Sequence, residues 1–274
     1  MGSENIKFKL KIRASSAGKL MGKLESITEI QAKKLAELQA RKDGVGKPLT
    51  LKMEAELKEL IAKRDAPPEL PQTAKSYIEE LWRKIKFQYS EPLVTDELLK
   101  GDMCEQEGID MVSLLLTGEF RVKNEITFND DPYCVGTPDI LLSEEPDVVE
   151  DIKSVWSLKT FMEKKDLDPI YYGQGQVYLH LTSRKKFRVH YCLFSTPKEL
   201  VEREQRRFFW KFGGDETNDK YLEICEQIAK NHNVEHIPLH QRMKTFEFYY
   251  DPNYIAELQK RVEMARGYFD GLKL

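Results

Sequence analysis

The chain carries the segment Gly136-Thr137-Pro138-Asp139 and, in the next apolar run, the triplet Asp151-Ile152-Lys153. Both runs read as strands, and because side chains alternate along a strand, Asp151 and Lys153 share a face. The polar stretch 143–147 lies between the runs and predicts a turn. We therefore expect a hairpin that places Asp139 beside Asp151.

Two carboxylates and a lysine in this arrangement suit the hydrolysis of a phosphodiester bond. Mg²⁺ takes oxygen ligands and binds through one or two carboxylates. Such an ion lowers the pKa of a bound water and neutralises charge on a phosphate. Lys153 would stabilise that charge or orient the water. The alternative interpretations are ordinary: Asp139 is a turn acid that follows a proline, and Asp-x-Lys is a common pattern on solvated strands.

A helical pattern upstream of the hairpin supplies a third carboxylate. The stretch 100–112 predicts a helix whose apolar face includes Ile109, Val112 and Glu105. A carboxylate on an inward face suggests a ligand. Glu107 competes with Glu105 for this role, and a solvated helix acid is the alternative.

Two further segments complete the pattern. Gln174 and Tyr178 are four residues apart in a helical stretch and therefore lie on one side of that helix. Near the N-terminus stands the stretch 12–21, IRASSAGKLM. Four sequence blocks are thus present: the stretch 12–21, the helix with Glu105, the hairpin from Asp139 to Lys153, and the pair Gln174 and Tyr178. In order and spacing, these four blocks resemble the lambda-exonuclease-like (YqaJ-type viral recombinase) branch of the PD-(D/E)XK nuclease superfamily. The resemblance covers most of 13–186.

The resemblance implies a role for each matched residue. The implied metal ligands are Asp139, Asp151, the backbone carbonyl of Ile152 and Glu105. Lys153 would be the catalytic lysine, and Gln174 would orient that lysine, a metal-bound water or the phosphate. The implied DNA contacts are Arg13, Ser15, Ser16, Lys19 and Tyr178. Ser15 and Ser16 could instead cap a helix, and Tyr178 could be a core residue.

The function implied by the resemblance is a Mg²⁺-dependent exonuclease acting on linear duplex DNA in phage-type recombination, with Mn²⁺ as a substitute ion. Such enzymes form ring-shaped homo-oligomers, such as trimers, and work with a single-strand annealing protein. Three alternatives remain open. They are a structure-specific or restriction-type endonuclease, a RecB-like nuclease subunit, and a non-catalytic DNA-binding scaffold on a decayed nuclease fold.

Composition agrees with an acidic catalytic site and gives no global sign of DNA binding. The formal net charge is −3, from 43 basic and 46 acidic residues, so phosphate contacts must come from local patches. Candidate patches are 184–188, which includes Arg184 and Lys185, and a helical stretch with Arg203, Arg206, Arg207 and Lys211. The four cysteines and five histidines show no metal-binding spacing. Without a long apolar run, we expect a cytoplasmic protein with no membrane contact, in the bacterial host if it is phage-encoded.

The predicted fold class is mixed α/β (α+β): a restriction-endonuclease-like core with a mixed β-sheet flanked by helices. The predicted strands are 119–129, 133–142, 148–156, 187–195 and 244–251. A helix over 254–269 covers one face of the sheet. We expect one nuclease domain over 1–274, into which a helical hairpin at 20–64 is inserted.

Overall fold

The computed structural model describes residues 9–24, 27–116 and 118–274. The chain forms two compact units. One comprises Lys11–Gly18 and Glu91–Ala256, and it contains every strand. The other comprises residues 9–10, Lys19–Ser90 and Glu257–Leu274, apart from 25–26. Of the predicted hairpin 20–64, residues 25–26 lie outside the described part.

Among its described residues, the first unit contains six strands, four of which form a mixed sheet, as expected. They are β1 Ile12–Arg13, β2 Cys134–Val135, β3 Ile140–Leu141, β4 Val148–Val155, β5 Lys186–Leu193 and β6 Met243–Tyr249. The main sheet has the order β3-β4-β5-β6, in which only β4 and β5 are parallel. The β1 and β2 strands pair separately and in parallel.

Helices account for most of the remaining structure. They are α1 Ala17–Leu20, α2 Glu29–Lys42, α3 Leu51–Asp65, α4 Gln72–Phe87, α5 Asp96–Met103, α6 Glu105–Leu115, α7 Leu158–Glu163, α8 Pro169–Thr182, α9 Lys198–Phe209, α10 Asp219–His232 and α11 Pro252–Gly271. The α7 and α8 helices form the crossover that two parallel strands require. None of the helices in the described ranges is long and apolar enough to span a bilayer.

The predicted hairpin between β3 and β4 is present. Ile140 pairs with Glu150 in antiparallel register, and extending that register by one residue sets Asp139 opposite Asp151. The expected strand over 133–142 is instead two short strands, β2 and β3, because Pro138 offers no N–H to a ladder. The segment between them also passes close to other parts of the chain. A Cβ atom at Gly136 would lie 2.7 Å from the Tyr178 ring.

Two other sequence predictions differ from the structure. The described residues at 119–129 form no strand, and only the isolated bridges Lys123–Ile140 and Phe128–Gly136 join them to the sheet edge. The helix expected over 100–112 is divided into α5 and α6 at Cys104. Apolar periodicity is the same for one helix or two, so the pattern could not show the break.

The helices α6 and α8 lie on opposite faces of the sheet. A Cβ atom at Gly108 of α6 would lie 2.6 Å from Ile152, whose side chain points away from the Asp151 face. The core on this side includes Ile109, Val112 and Phe194. On the other face, a Cβ at Gly175 of α8 would approach Phe187 to 2.7 Å. The α8 helix therefore covers the face on which Asp151 and Lys153 lie.

The second unit contains the helical hairpin that the sequence predicts. The α2 and α3 helices pack through Leu35, Leu38, Leu57 and Leu60. Thr28 caps α2 in a capping box with Gln31. Within the same unit, the α11 residues Arg261 and Tyr268 bond to the Leu20 carbonyl and to Glu79. That this hairpin is an insertion into a nuclease domain stays a prediction.

Candidate active site

The hairpin brings Asp139, Asp151 and Lys153 together. Asp139 Oδ2 accepts a hydrogen bond of 3.0 Å from the backbone N–H of Ile152. Asp151 Oδ2 lies 2.7 Å from Lys153 Nζ, and Asp151 is only 1% exposed. The three predicted side chains thus occupy one place on the sheet.

The α8 helix adds Gln174 to this group. Its side-chain nitrogen donates to Asp151 Oδ1 at 3.1 Å and to the Tyr178 hydroxyl oxygen at 3.1 Å. The same helix packs closely on the N-terminal segment, since a Cβ at Gly173 would lie 2.8 Å from the backbone nitrogen of Gly18. Gln174 and Tyr178 therefore meet Asp151 as a pair, four residues apart on one face.

The electrostatics of the site favour a bound cation. Burial and the negative charge of Asp151 raise the pKa of Asp139 to about 7. Burial would lower the pKa of Lys153, but the charges of Asp151 and Asp139 outweigh it and raise that pKa. One lysine is thus shared by two crowded carboxyl groups. A divalent ion would relieve the repulsion between them.

The donor set fits a hard ion such as Mg²⁺. In the part of the chain that the structure describes, no three histidine, cysteine or acidic residues are grouped as a metal site. Mg²⁺ does not need such a group, because it keeps several waters and uses one or two carboxylates. Asp139 and Asp151 meet that need. The expected contribution of the Ile152 carbonyl stays a prediction.

Solved structures resemble this fold closely enough to compare. A phage-related exonuclease from Haemophilus somnus 129PT matches with a TM-score of 0.65 and 21% identity, over 96% of this chain and 95% of that one. An alkaline exonuclease (LHK-Exo) from Laribacter hongkongensis matches with a TM-score of 0.53 and 12% identity, over 95% and 88%. This chain has the phage-type exonuclease fold. The fold expected from the four sequence blocks is therefore confirmed.

The fold of LHK-Exo in complex with dAMP is also similar, with a TM-score of 0.52 and 12% identity. No protein-family model and no curated protein matches the chain.

Within this exonuclease fold, Glu105 and Glu107 have different neighbours. Glu105, at the start of α6, forms an ion pair with Lys123. The pKa of Lys123 is raised first by its hydrogen bond to Glu105 and also by the charge of Asp139. Burial and the charge of Glu235 raise the pKa of Glu107. Through Lys123, Glu105 is thus linked to the surroundings of Asp139.

The N-terminal residues that were predicted to contact DNA differ in their exposure to solvent. Arg13 and Ser15 are exposed, whereas Ser16 is only 8% exposed. Their segment is fixed against α8, since a Cβ at Gly18 would lie 2.7 Å from Ile170 Cα. Lys19 belongs to the second unit, where its ammonium lies 5.1 Å from the centre of the Tyr77 ring.

The predicted basic patches of the exonuclease fold already have partners within the protein. Arg184 donates to the backbone carbonyls of Leu142 and Val148, and Lys185 pairs with Asp147 at 2.9 Å. In the second patch, Arg203 and Arg207 both pair with the buried Asp96 of α5, and Arg206 pairs with Glu202. DNA binding through these residues stays a prediction, and it would require most of them to exchange partners.

Three of the five histidines, which show no metal-binding spacing in the sequence, have protein partners. His180 lies 3.0 Å from Asp131, His190 lies 2.9 Å from Thr245, and His232 contacts Thr196 and Glu204.

Three residues near the site were not anticipated from the sequence. The Lys153 ammonium lies 5.1 Å from the centre of the Tyr171 ring. Asn124 donates to the carbonyls of Pro138 and Asp139, through its side chain and its backbone N–H. The third is Lys123. The spacing of Tyr171, one turn before Gln174, could have revealed it, but nothing local marks Lys123 or Asn124 as neighbours of Asp139.

Proposed function

We propose that this chain is a Mg²⁺-dependent deoxyribonuclease that degrades linear duplex DNA from an end, with Mn²⁺ able to replace Mg²⁺. The observation that best supports this is the meeting of Asp139, Asp151 and Lys153, with Gln174 bonded to Asp151. The likeness to two exonucleases, one of them solved with dAMP, supports DNA as the substrate.

The metal would be held by the carboxylate oxygens of Asp139 and Asp151. The Ile152 carbonyl and Glu105 are the further ligands implied by the resemblance. When bound, the ion lowers the pKa of water and neutralises charge on the scissile phosphate. A nearby cation also favours the charged form of a carboxyl, so Asp139 would stay deprotonated at neutral pH.

Lys153 would act on the phosphate itself. Its ammonium stays protonated because both carboxylates raise its pKa. It would donate hydrogen bonds to the non-bridging oxygens, where negative charge increases in the transition state. The water oxygen forms a bond to phosphorus while the bond to O3′ breaks. The products are a 5′-phosphate and a 3′-hydroxyl, which takes up a proton.

Gln174 would position the site rather than touch the substrate. It holds one oxygen of Asp151 at 3.1 Å, which leaves the other oxygen beside Lys153. Tyr178 supports Gln174 from the next turn of α8. Assembly as a ring-shaped homo-oligomer, work with a single-strand annealing protein and a role in recombination belong to the proposal on the resemblance alone.

Cleavage of two substrates tests this function. An end-labelled linear duplex and a covalently closed circle are incubated with Mg²⁺ and the wild-type protein, Asp151→Ala or Asp215→Asn. Asp215 is an exposed acid in the turn between α9 and α10, which makes it a matched control. We expect loss of the linear duplex only, abolished in Asp151→Ala and retained in Asp215→Asn. Cutting of the circle would indicate an endonuclease, and no cleavage of either would refute the proposal.

A further inference from the structure

A row of cations and aromatic rings leads away from Lys153 along its face of the sheet. Lys153 lies over the Tyr171 ring at 5.1 Å, and the Tyr171 ring centre is 5.9 Å from that of Tyr191. Tyr191 is the β5 residue paired with Lys153 in the parallel ladder. The ammonium of Lys164 lies 5.4 Å from the centre of the Tyr191 ring. Lys153 and Lys164 thus each lie over a different ring of one tyrosine pair.

The backbone at Lys164 is fixed by a neighbouring lysine. Lys244 of β6 pairs with Tyr191 in the sheet, and its ammonium donates to the carbonyls of Phe161 and Lys164. The Lys244 side chain therefore binds the backbone at the end of α7. The same contacts hold Lys164 in place beside the Tyr191 ring.

The ammonium of Lys164 has a different environment from that of Lys244. Its side chain is 27% exposed, and Asp168, its carboxylate partner, is 3.7 Å away, beyond hydrogen-bond distance. A cation over an aromatic face is attracted by the ring, but this does not use its hydrogen-bond donors. Lys164 is thus a positioned and accessible cation that can still bind an anion.

We propose that Lys164 binds a backbone phosphate of the DNA strand whose scissile phosphate lies at Lys153. The inference rests on the proposed function and deepens it by extending the substrate contact along one face of the sheet. A lysine suits this task because it binds a phosphate as a point charge and needs no fixed orientation. Because each cation lies over a different ring of the tyrosine pair, the two ammonium groups would contact different phosphates.

The salt dependence of DNA binding tests this contact. Each phosphate neutralised on duplex DNA adds about 0.9 to the slope of log K against log salt. A fluorescent linear duplex is titrated in EDTA at several salt concentrations with the wild type, Lys164→Met, Lys164→Arg and Lys165→Met. Methionine keeps an unbranched apolar chain against Tyr191, arginine keeps the charge, and Lys165 is the exposed adjacent lysine.

We expect Lys164→Met to bind more weakly and to lower the magnitude of the slope by about 0.9. Lys164→Arg should retain the slope, and so should Lys165→Met. Thermal melting of each variant shows that it is folded. If Lys164→Met keeps the wild-type slope, or Lys165→Met lowers it equally, the inference is wrong. A wild-type protein that neither binds nor cleaves DNA would instead refute the proposed function.

Discussion

Asp139, just before β3, stands opposite Asp151 of β4, and both burial and the charge of Asp151 oppose its ionisation. In the metal-free protein, we expect this to make stability depend on pH. The carboxyl of Asp139 has a raised pKa, so folding takes up protons between the unfolded value near 3.8 and about 7. Its contribution to stability is therefore present below 3.8 and lost as the pH rises through about 7.

Unfolding by urea in EDTA, at pH values from 5 to 8, measures this loss. Asp139→Asn should remove it, so that the variant gains stability relative to the wild type as the pH rises. Mg²⁺ should restore the wild type at pH 8 but not the variant. Parallel pH curves for the two proteins would show that the pKa of Asp139 is not raised in the folded protein.

Two glutamines of α8 should have separable roles. Gln174 bonds to Asp151, whereas Gln176 bonds through both ends of its amide to the backbone of Tyr249 and Asp251. Gln174→Ala should lower the cleavage rate about 10- to 100-fold, as loss of a residue behind a metal ligand does. Gln176→Ala should cost about 2 kcal/mol of stability. Rates and urea curves for both variants test this, and equal effects on the rate would contradict it.

The residues whose proximity was predicted from the sequence belong to short local patterns. Asp139, Asp151 and Lys153 follow from strand alternation and one turn, and Gln174 follows from helical spacing. Lys123 and Lys100 could not be found in this way. Lys100 donates to the carbonyls of Trp156 and Phe194, which lie far along the chain at the ends of β4 and β5. Such contacts depend on the tertiary fold, which local periodicity does not encode.

Among the elements, α6 packs closely on β4, and we expect this contact to position the site residues. A Cβ at Gly108 would come within 2.6 Å of Ile152, the residue between Asp151 and Lys153. Gly108→Ala should therefore displace β4, destabilise the protein by about 1–3 kcal/mol and reduce cleavage. Gly101→Ala on α5 is the control, because its Cβ meets nothing within 4 Å. That change should be neutral or stabilise the helix by up to about 1 kcal/mol.

Urea unfolding and cleavage rates of both variants decide the point. If Gly108→Ala behaves like Gly101→Ala, the contact between α6 and Ile152 does not position the site.

The sequence predicted the strands β4, β5 and β6 and the helices α8 and α11 well, because each carries an apolar pattern that extends over many residues. The strand predicted over 119–129 did not form, and apolar residues there, such as Phe120 and Val122, are exposed at the sheet edge.

On the scale of the whole molecule, charge is balanced locally as well as overall. The net charge is −3, and many arginines are paired within the protein, as Arg188 is with Glu145, Glu150 and Glu247. If the proposed function is right, affinity for DNA should then depend on cations near the site, such as Lys153 and Lys164, and on the metal. Composition alone could exclude a uniformly basic DNA-binding protein, but it could not show which basic residues have internal partners.

The most direct test of the account is the rate at which mononucleotides are released from a linear duplex. The rate is measured with Mg²⁺ or with EDTA. The proteins compared are the wild type, Lys153→Met and Lys159→Met. Lys159 is an exposed lysine on α7 and serves as the control. We expect release only with Mg²⁺, slowed about 10²- to 10³-fold in Lys153→Met because a donor to the developing charge is lost. Lys159→Met should match the wild type. Release in EDTA, or an unchanged rate in Lys153→Met, would contradict the claim that Asp139, Asp151 and Lys153 form a metal-dependent cleavage site.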